Sequence, residues 1–142
     1  MQRCIELARV AASNEEVPVG ALIVRGDEII AEASNQPIGR CDPTAHAEIC
    51  CIREAAIQSN NYRLTGCVLY SSIEPCLMCA GAIMHARLER VIYGAPEPRG
   101  GAVNGTVNYF EDLSHLHKIE VIGNVMADEC RQLIQDFFRA RR

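Results

Sequence analysis

The chain's 142 residues, 49% of them hydrophobic, are expected to fold as one domain (residues 1–142) around a real core. A formal charge of −4 argues against indiscriminate nucleic-acid binding, which rests on excess Lys and Arg, but leaves room for a local basic face. No window joins charge to low complexity, and no apolar run approaches the roughly 18 residues of a membrane span, so neither extended disorder nor a membrane partner is expected.

Residues 4–13 read as a helix, apolar at Ile5, Leu7, Ala8, Val10, Ala11 and Ala12, that starts abruptly from Met1 without an N-cap. That start carries charge and lacks a signal peptide's apolar core. A cytoplasmic location with reduced thiols follows as the expectation. Residues 17–24 form a strand, and Gly26-Asp27 turns it into a second at residues 28–33. The loop at residues 35–42 ends in Asp42-Pro43, an N-cap and a proline at the first helical position. The helix so begun carries His46 and Glu48 and runs to Ser59, with Ile49, Ile52, Ala56 and Ile57 inward.

A turn at residues 60–63 precedes a buried strand at 67–71, and Pro75 opens a helix bearing Cys76, Cys79, Ala80, Ile83 and Met84. Another strand spans 90–93. Residues 96–108 hold five glycines and prolines, an open loop suited to substrate contacts. A last strand (118–122) and a last helix (126–138, apolar at Leu133, Ile134, Phe137 and Phe138) complete the order α-β-β-α-β-α-β-β-α. This is an α/β chain with a mixed sheet and helices on both faces, its ligands expected at one end of the sheet.

Eight cysteines need an account. Cys50, Cys51 and Cys67 fall in apolar segments and read as small core fillers. Cys76 and Cys79 are different. A lone Cys-x-x-Cys can be a buried thiol pair, a redox pair or half of a structural zinc site, and a lone His-x-Glu is commonly a helix start with surface charge. Together, each beside a proline and a helix start, His46-Ala47-Glu48 and Pro75-Cys76-Leu77-Met78-Cys79 supply one imidazole, two thiols and a spare carboxylate. Catalytic zinc takes three such protein ligands and keeps one position for water, so His46, Cys76 and Cys79 are the candidate ligands of one zinc ion, Zn2+. Glu48 is left to move protons, the arrangement of the zinc deaminases. His46 and Glu48 stand two apart, on opposite faces of a regular helix. Both can reach the metal only if it lies beyond the helix start.

Several further stretches extend the likeness. Val17-Pro18-Val19-Gly20-Ala21, Asn35-x-Pro37-Ile38-Gly39-Arg40, Asp42-Pro43-Thr44-Ala45-His46-Ala47-Glu48, Asn61-Tyr62-Arg63-Leu64, Glu74-Pro75-Cys76-x-Met78-Cys79-Ala80-Gly81-Ala82 and Asp136-Phe137-Phe138-Arg139 resemble the bacterial tRNA-specific adenosine deaminases over nearly the whole chain. The resemblance implies a cytidine-deaminase-like three-layer α/β/α sandwich around a five-stranded mixed sheet. It implies a homodimer that converts the wobble adenosine of an arginine tRNA anticodon loop to inosine. It assigns zinc to His46, Cys76 and Cys79, the proton shuttle to Glu48 and the flipped base to Asn35. Ala47, Glu97, Arg99, Phe137 and Arg139 join the substrate-binding set. Glu97, Arg99 and Gly100 stand where members commonly carry Asp, Lys and Thr, and Ser34 and Cys41 where an aromatic and a histidine are usual. All lie off the metal motif.

Two rivals remain at this level. A deaminase of free bases or nucleotides would use the same metal, although the free cytidine enzymes typically have Cys where His46 sits. A non-catalytic zinc-stabilised RNA-binding or interaction domain would normally close its zinc with four protein ligands, and only three are apparent. Arg87, Arg90, Arg99, Arg139, Arg141 and Arg142 are either a local basic face or ordinary solvated arginines.

Overall fold

The computed structural model describes residues 1–104, 107–114 and 116–141, so Arg142 lies outside the described residues. A helix, α1 (Gln2–Ser13), leads into the hairpin β1 (Gly20–Arg25) and β2 (Glu28–Ser34). A short helix α2 (Pro37–Arg40) and the longer α3 (Ala47–Gln58) follow, then β3 (Cys67–Ile73), α4 (Leu77–His85) and β4 (Arg90–Ala95). A one-turn helix α5 (Tyr109–Asp112), strand β5 (Glu120–Ile122) and helix α6 (Ala127–Arg139) close the chain.

The five strands make one mixed sheet in the order β2-β1-β3-β4-β5. The hairpin and the β1–β3 pair are antiparallel, whereas β3, β4 and β5 run parallel. Helices α1 and α6 pack on one face and α3 and α4 on the other, giving the expected three layers. The core lies mainly under α3 and α4, where Ile23, Leu64, Leu69, Ile83, Leu88 and Val91 are buried together. A smaller cluster of Ile5, Ala95 and Cys130 seats the opposite layer. Gly20 lets α1 approach, since a Cβ there would fall on the Cys4 carbonyl and on Leu7.

The local differences from expectation have physical reasons. Strand β1 starts at Gly20 and not at Val17, because Pro18 has no N–H to donate and Val19 N–H turns back to the Val17 carbonyl (2.8 Å). Asp42 does not cap the third helix. Its carboxylate accepts from the backbone N–H (2.8 Å) and hydroxyl (2.7 Å) of Thr44, an Asx turn, and the helix begins only at Ala47 with His46 as its N-cap. Similarly, Pro75 lies ahead of α4, whose N-cap is Cys76. Ile57 was expected inward and is 75% exposed. Cys50, Cys51 and Cys67 are buried, as core fillers should be.

The loop at 35–42 contains α2, with Pro37 at its start. The described residues of the loop after β4 also make defined backbone bonds. Gly101 N–H donates to the Glu97 carbonyl (2.8 Å), and Asn108 caps α5 by accepting from Glu111 N–H (3.3 Å).

Candidate active site and metal centre

His46 and Cys76 play the same local role. Each is the extended N-cap residue of a helix, at φ −66°, ψ 152° and φ −74°, ψ 173° respectively. An extended N-cap throws its side chain forward of the first turn, so the metal donors project beyond the helix axes. Cys79, one turn into α4, faces the same point. Cys76 Sγ lies 3.7 Å and Cys79 Sγ 3.6 Å from His46 Nδ1, and the two sulfurs are 3.6 Å apart. Tetrahedral zinc with ordinary Zn–S and Zn–N bond lengths separates its sulfurs by about 3.8 Å and sulfur from nitrogen by about 3.6 Å. The donor set therefore fits one zinc ion. Among the described residues it is the one cluster of three or more potential ligands.

Glu48 sits two residues beyond His46, on the first turn of α3, and is 2% exposed. Its Oε1 accepts from the Ser71 hydroxyl on β3 at 3.3 Å. Its Oε2 is buried with no hydrogen-bond partner among the described residues. A buried carboxylate oxygen without a partner is costly, and it marks a place where a further polar group belongs. His46 lies ahead of the helix as its N-cap and Glu48 within its first turn, and both line one cavity.

The donors perturb one another strongly. The Cys76 thiol is drawn down to about 4, chiefly by its hydrogen bond with the Cys79 thiol, with burial opposing and His46 adding to the pull. Cys79 is pushed up by the Cys76 sulfur and by burial. His46 is raised, first by its contact with Cys76. Burial raises Glu48 above the usual carboxylate range.

A cavity of about 260 Å³ opens over these residues. His46, Glu48 and Cys76 line it together with apolar Val17, Val19 and Ile73, and Asn35, Glu74 and Glu97 supply further polar groups. Asn35 is 7% exposed and anchored by its N–H to the Val19 carbonyl (2.9 Å). Ala47 is fully buried, so only its backbone can serve a ligand. A second cavity of about 590 Å³ is lined by Glu97, Arg99, Phe138, Arg139 and Arg141, so Glu97 stands on both. Phe137 lines neither of the two. It faces inward at 9% exposure, edge-on to Phe138, with the Arg141 guanidinium 3.6 Å from its ring centre. Phe138 is the aromatic that lines the second cavity. Arg87 and Arg90 belong to the other end of the sheet, where Arg87 donates to the Leu116 carbonyl (2.7 Å) and Arg90 pairs with Glu120 (2.7 Å). A larger space of about 750 Å³ between β2 and α3 contains none of the metal donors.

Sequence reasoning missed Ser71, Glu16 and Glu74. Glu16, 3% exposed, accepts from Gly39 N–H (2.7 Å) and so fixes α2 beside the cavity. For Glu16 and Glu74 a charged residue close to a proline was the available signal, and Ser71 carried none.

The profile of the cytidine and deoxycytidylate deaminase zinc-binding region matches residues 1–95. The tRNA-specific adenosine deaminase of Haemophilus influenzae is 43% identical, aligned over 100% of this chain and 83% of its own length. That of Agrobacterium fabrum is 39% identical over 100% of this chain and 93% of its own. A solved deaminase that carries out A-to-I editing at the wobble position of transfer RNA superposes with a TM-score of 0.90 at 39% identity, covering 94% of this chain and 96% of that one. The paired helix starts, the three converging donors and these likenesses agree: the chain belongs to the cytidine and deoxycytidylate deaminase family, in its group of tRNA-specific adenosine deaminases.

Proposed function

We propose that residues 1–142 act as one catalytic domain that hydrolyses adenosine to inosine at the wobble position of a tRNA, an arginine tRNA by the family resemblance, releasing ammonia. The observation that carries the reading is the tetrahedral spacing of His46, Cys76 and Cys79 beside the unpartnered Oε2 of buried Glu48. The likeness to relatives that act on tRNA supports the substrate.

Zinc held by these donors supplies an acidified water, the nucleophile of a hydrolytic deamination. Glu48 takes a proton from the attacking water and delivers it to the purine ring nitrogen next to C6. The carboxylate then takes the remaining proton from the hydroxyl added at C6 and passes it to the amino group, so that the C6–N bond breaks, the C6 carbonyl of inosine forms and ammonia leaves. Apolar Val17, Val19 and Ile73 exclude bulk water around that carboxylate. Asn35 orients the base by hydrogen bonding, and the first-turn N–H of Ala47, which has no intrahelical partner, offers another donor. Glu97, Arg99 and Arg139 take the flanking nucleotides along the second cavity, while Phe137 acts from beneath by seating Phe138 and Arg141. An anticodon loop presents bases outside a duplex, which lowers the unstacking cost that a buried catalytic group imposes.

The same reading makes the protein a cytoplasmic homodimer. Among the described residues no helix is long and apolar enough to cross a membrane. Leu77 and Met78, exposed at 56% and 36% on α4 beside small Gly81 and Ala82, support a second copy as the partner. Incubating the protein with arginine tRNA and sequencing the product, where inosine reads as guanosine, tests the activity. Free adenosine, cytidine and guanine serve as competing substrates. Ammonia release from a free base with no change in the tRNA would overturn the substrate assignment.

A further inference from the structure

Glu74 is a buried carboxylate, 3% exposed, that the proton transfers described above do not use. It takes part in none of the ion pairs among the described residues. Three backbone N–H groups satisfy it instead. Oε2 accepts from Glu97 (3.0 Å), and Oε1 accepts from Val103 (3.1 Å) and Asn104 (2.9 Å). Hydrogen bonds to an ionised acceptor are about twice as strong as neutral ones, and here they replace a counter-charge. Gly101 is required by this packing, since a Cβ there would strike the Glu74 carboxylate and the Glu97 carbonyl.

The segment so gathered is pinned to the metal-binding stem at two more points. Ala102 N–H donates to the Pro75 carbonyl (3.0 Å), and Gly101 forms an antiparallel bridge with Cys76 itself. Glu97, held by Glu74 at its backbone, stands on the wall shared by the catalytic cavity and the Arg99–Arg139 cavity.

We propose that Glu74 is a positioning residue for substrate binding. Its carboxylate gathers residues 97–104 against the Pro75–Cys76 stem and so sets where Glu97 stands between the two cavities. Only the kinetic consequence rests on the deaminase reading; the hold on the loop does not.

The test is amide-resolved hydrogen exchange on the zinc-loaded protein, with Glu74→Gln and Glu74→Ala. Glutamine has one carbonyl, which can keep Val103 and Asn104 while its NH2 opposes Glu97 N–H. Glu74→Gln should speed exchange at Glu97 by about tenfold or more, with Val103 and Asn104 nearly unchanged. Glu74→Ala should release all three, and both variants should leave β3 and α4 as protected as before. With tRNA, KM should rise by about tenfold in the glutamine variant while kcat stays within about threefold. Unchanged exchange at Glu97 overturns the proposal, as does a rise spread evenly over β3 and α4, which signals general loss of stability. Faster exchange at Glu97 with an unchanged KM overturns the role in substrate binding. Failure of the wild-type protein to act on tRNA sinks the deaminase reading instead, and the exchange data then decide on Glu74 alone.

Discussion

Replacing Glu48 by glutamine removes the proton carrier and leaves nearly the same volume in the cavity. The carboxylate is 2% exposed, its Oε1 accepts from Ser71, and its Oε2 has no partner. A glutamine carbonyl can keep the Ser71 hydrogen bond, so the loss should be confined to proton transfer. General acid–base catalysis is typically worth about 10²–10⁴ in rate, or roughly 3–5 kcal/mol of barrier. Because Glu48 would serve both the water and the leaving group, kcat should fall by about 10⁴, the upper end of that range. Zinc content should stay at one per chain, because glutamine leaves His46, Cys76 and Cys79 intact. Thermal stability should not fall, since the variant removes a buried charge that lacks one of its partners. Single-turnover deamination of tRNA, metal analysis and a melting curve measure all three quantities. Activity within tenfold of wild type would refute the assignment of Glu48, and loss of zinc along with activity would show that the carboxylate belongs to the metal.

Three further outcomes are expected. Cys79→Ser should lose zinc and destabilise the fold by about 3 kcal/mol or more, roughly 10 °C in melting temperature, because binding energy at a structural ligand is folding energy; wild-type metal content would remove Cys79 from the ligand set. Asn35→Ala should cost roughly tenfold in kcat/KM, one hydrogen bond's worth, with zinc unchanged, and no loss with tRNA would take Asn35 out of the base-binding role. The third concerns pH. Glu32 is held below its usual range chiefly by the hydrogen bond from Arg3, so its stabilisation is present above the unfolded carboxylate pKa and lost as pH falls through the folded one. The stability gap between wild type and Arg3→Ala should therefore close on acidification, as denaturant midpoints at neutral and acid pH will read out.

Much of the fold was legible because its signals are local. The short apolar runs of β1 to β4 and the helical spacing in α1, α3 and α6 need no partner to be recognised. Other features depend on contacts distant in sequence. Whether Val17–Val19 joins a strand is decided by Pro18 and by the turn it forces, and Ile57 lies on a helical face that this chain leaves uncovered. The site was legible in its donors, since His46, Cys76 and Cys79 carry their chemistry in their residue types. Its supports were not. Glu74, Glu16 and Ser71 act on residues 97–104, Gly39 and Glu48, and nothing in a linear reading brings those partners together.

The two misplaced helix starts explain why the site works. Had α3 begun at Pro43, His46 would lie within a regular turn, and Glu48 would point away from whatever the imidazole faced. The Asx turn at Asp42 delays the helix until Ala47 and leaves His46 extended, so imidazole and carboxylate can both address one point. Pro75 precedes an equivalent extended Cys76. Two helix N-termini then converge on the metal position, and their positive ends favour thiolates and a carboxylate over bare cations. Two thiolates would cancel the charge of a zinc ion, and a neutral imidazole would add none, so the ligand set itself would carry no net charge beside the Glu48 carboxylate. It sits on the first turn of α3, where the helix dipole favours a negative group. Shifting either helix start by one turn would separate that charge from the position it serves, so the placement of Asp42 and Pro75 matters to the chemistry as much as the identity of the ligands.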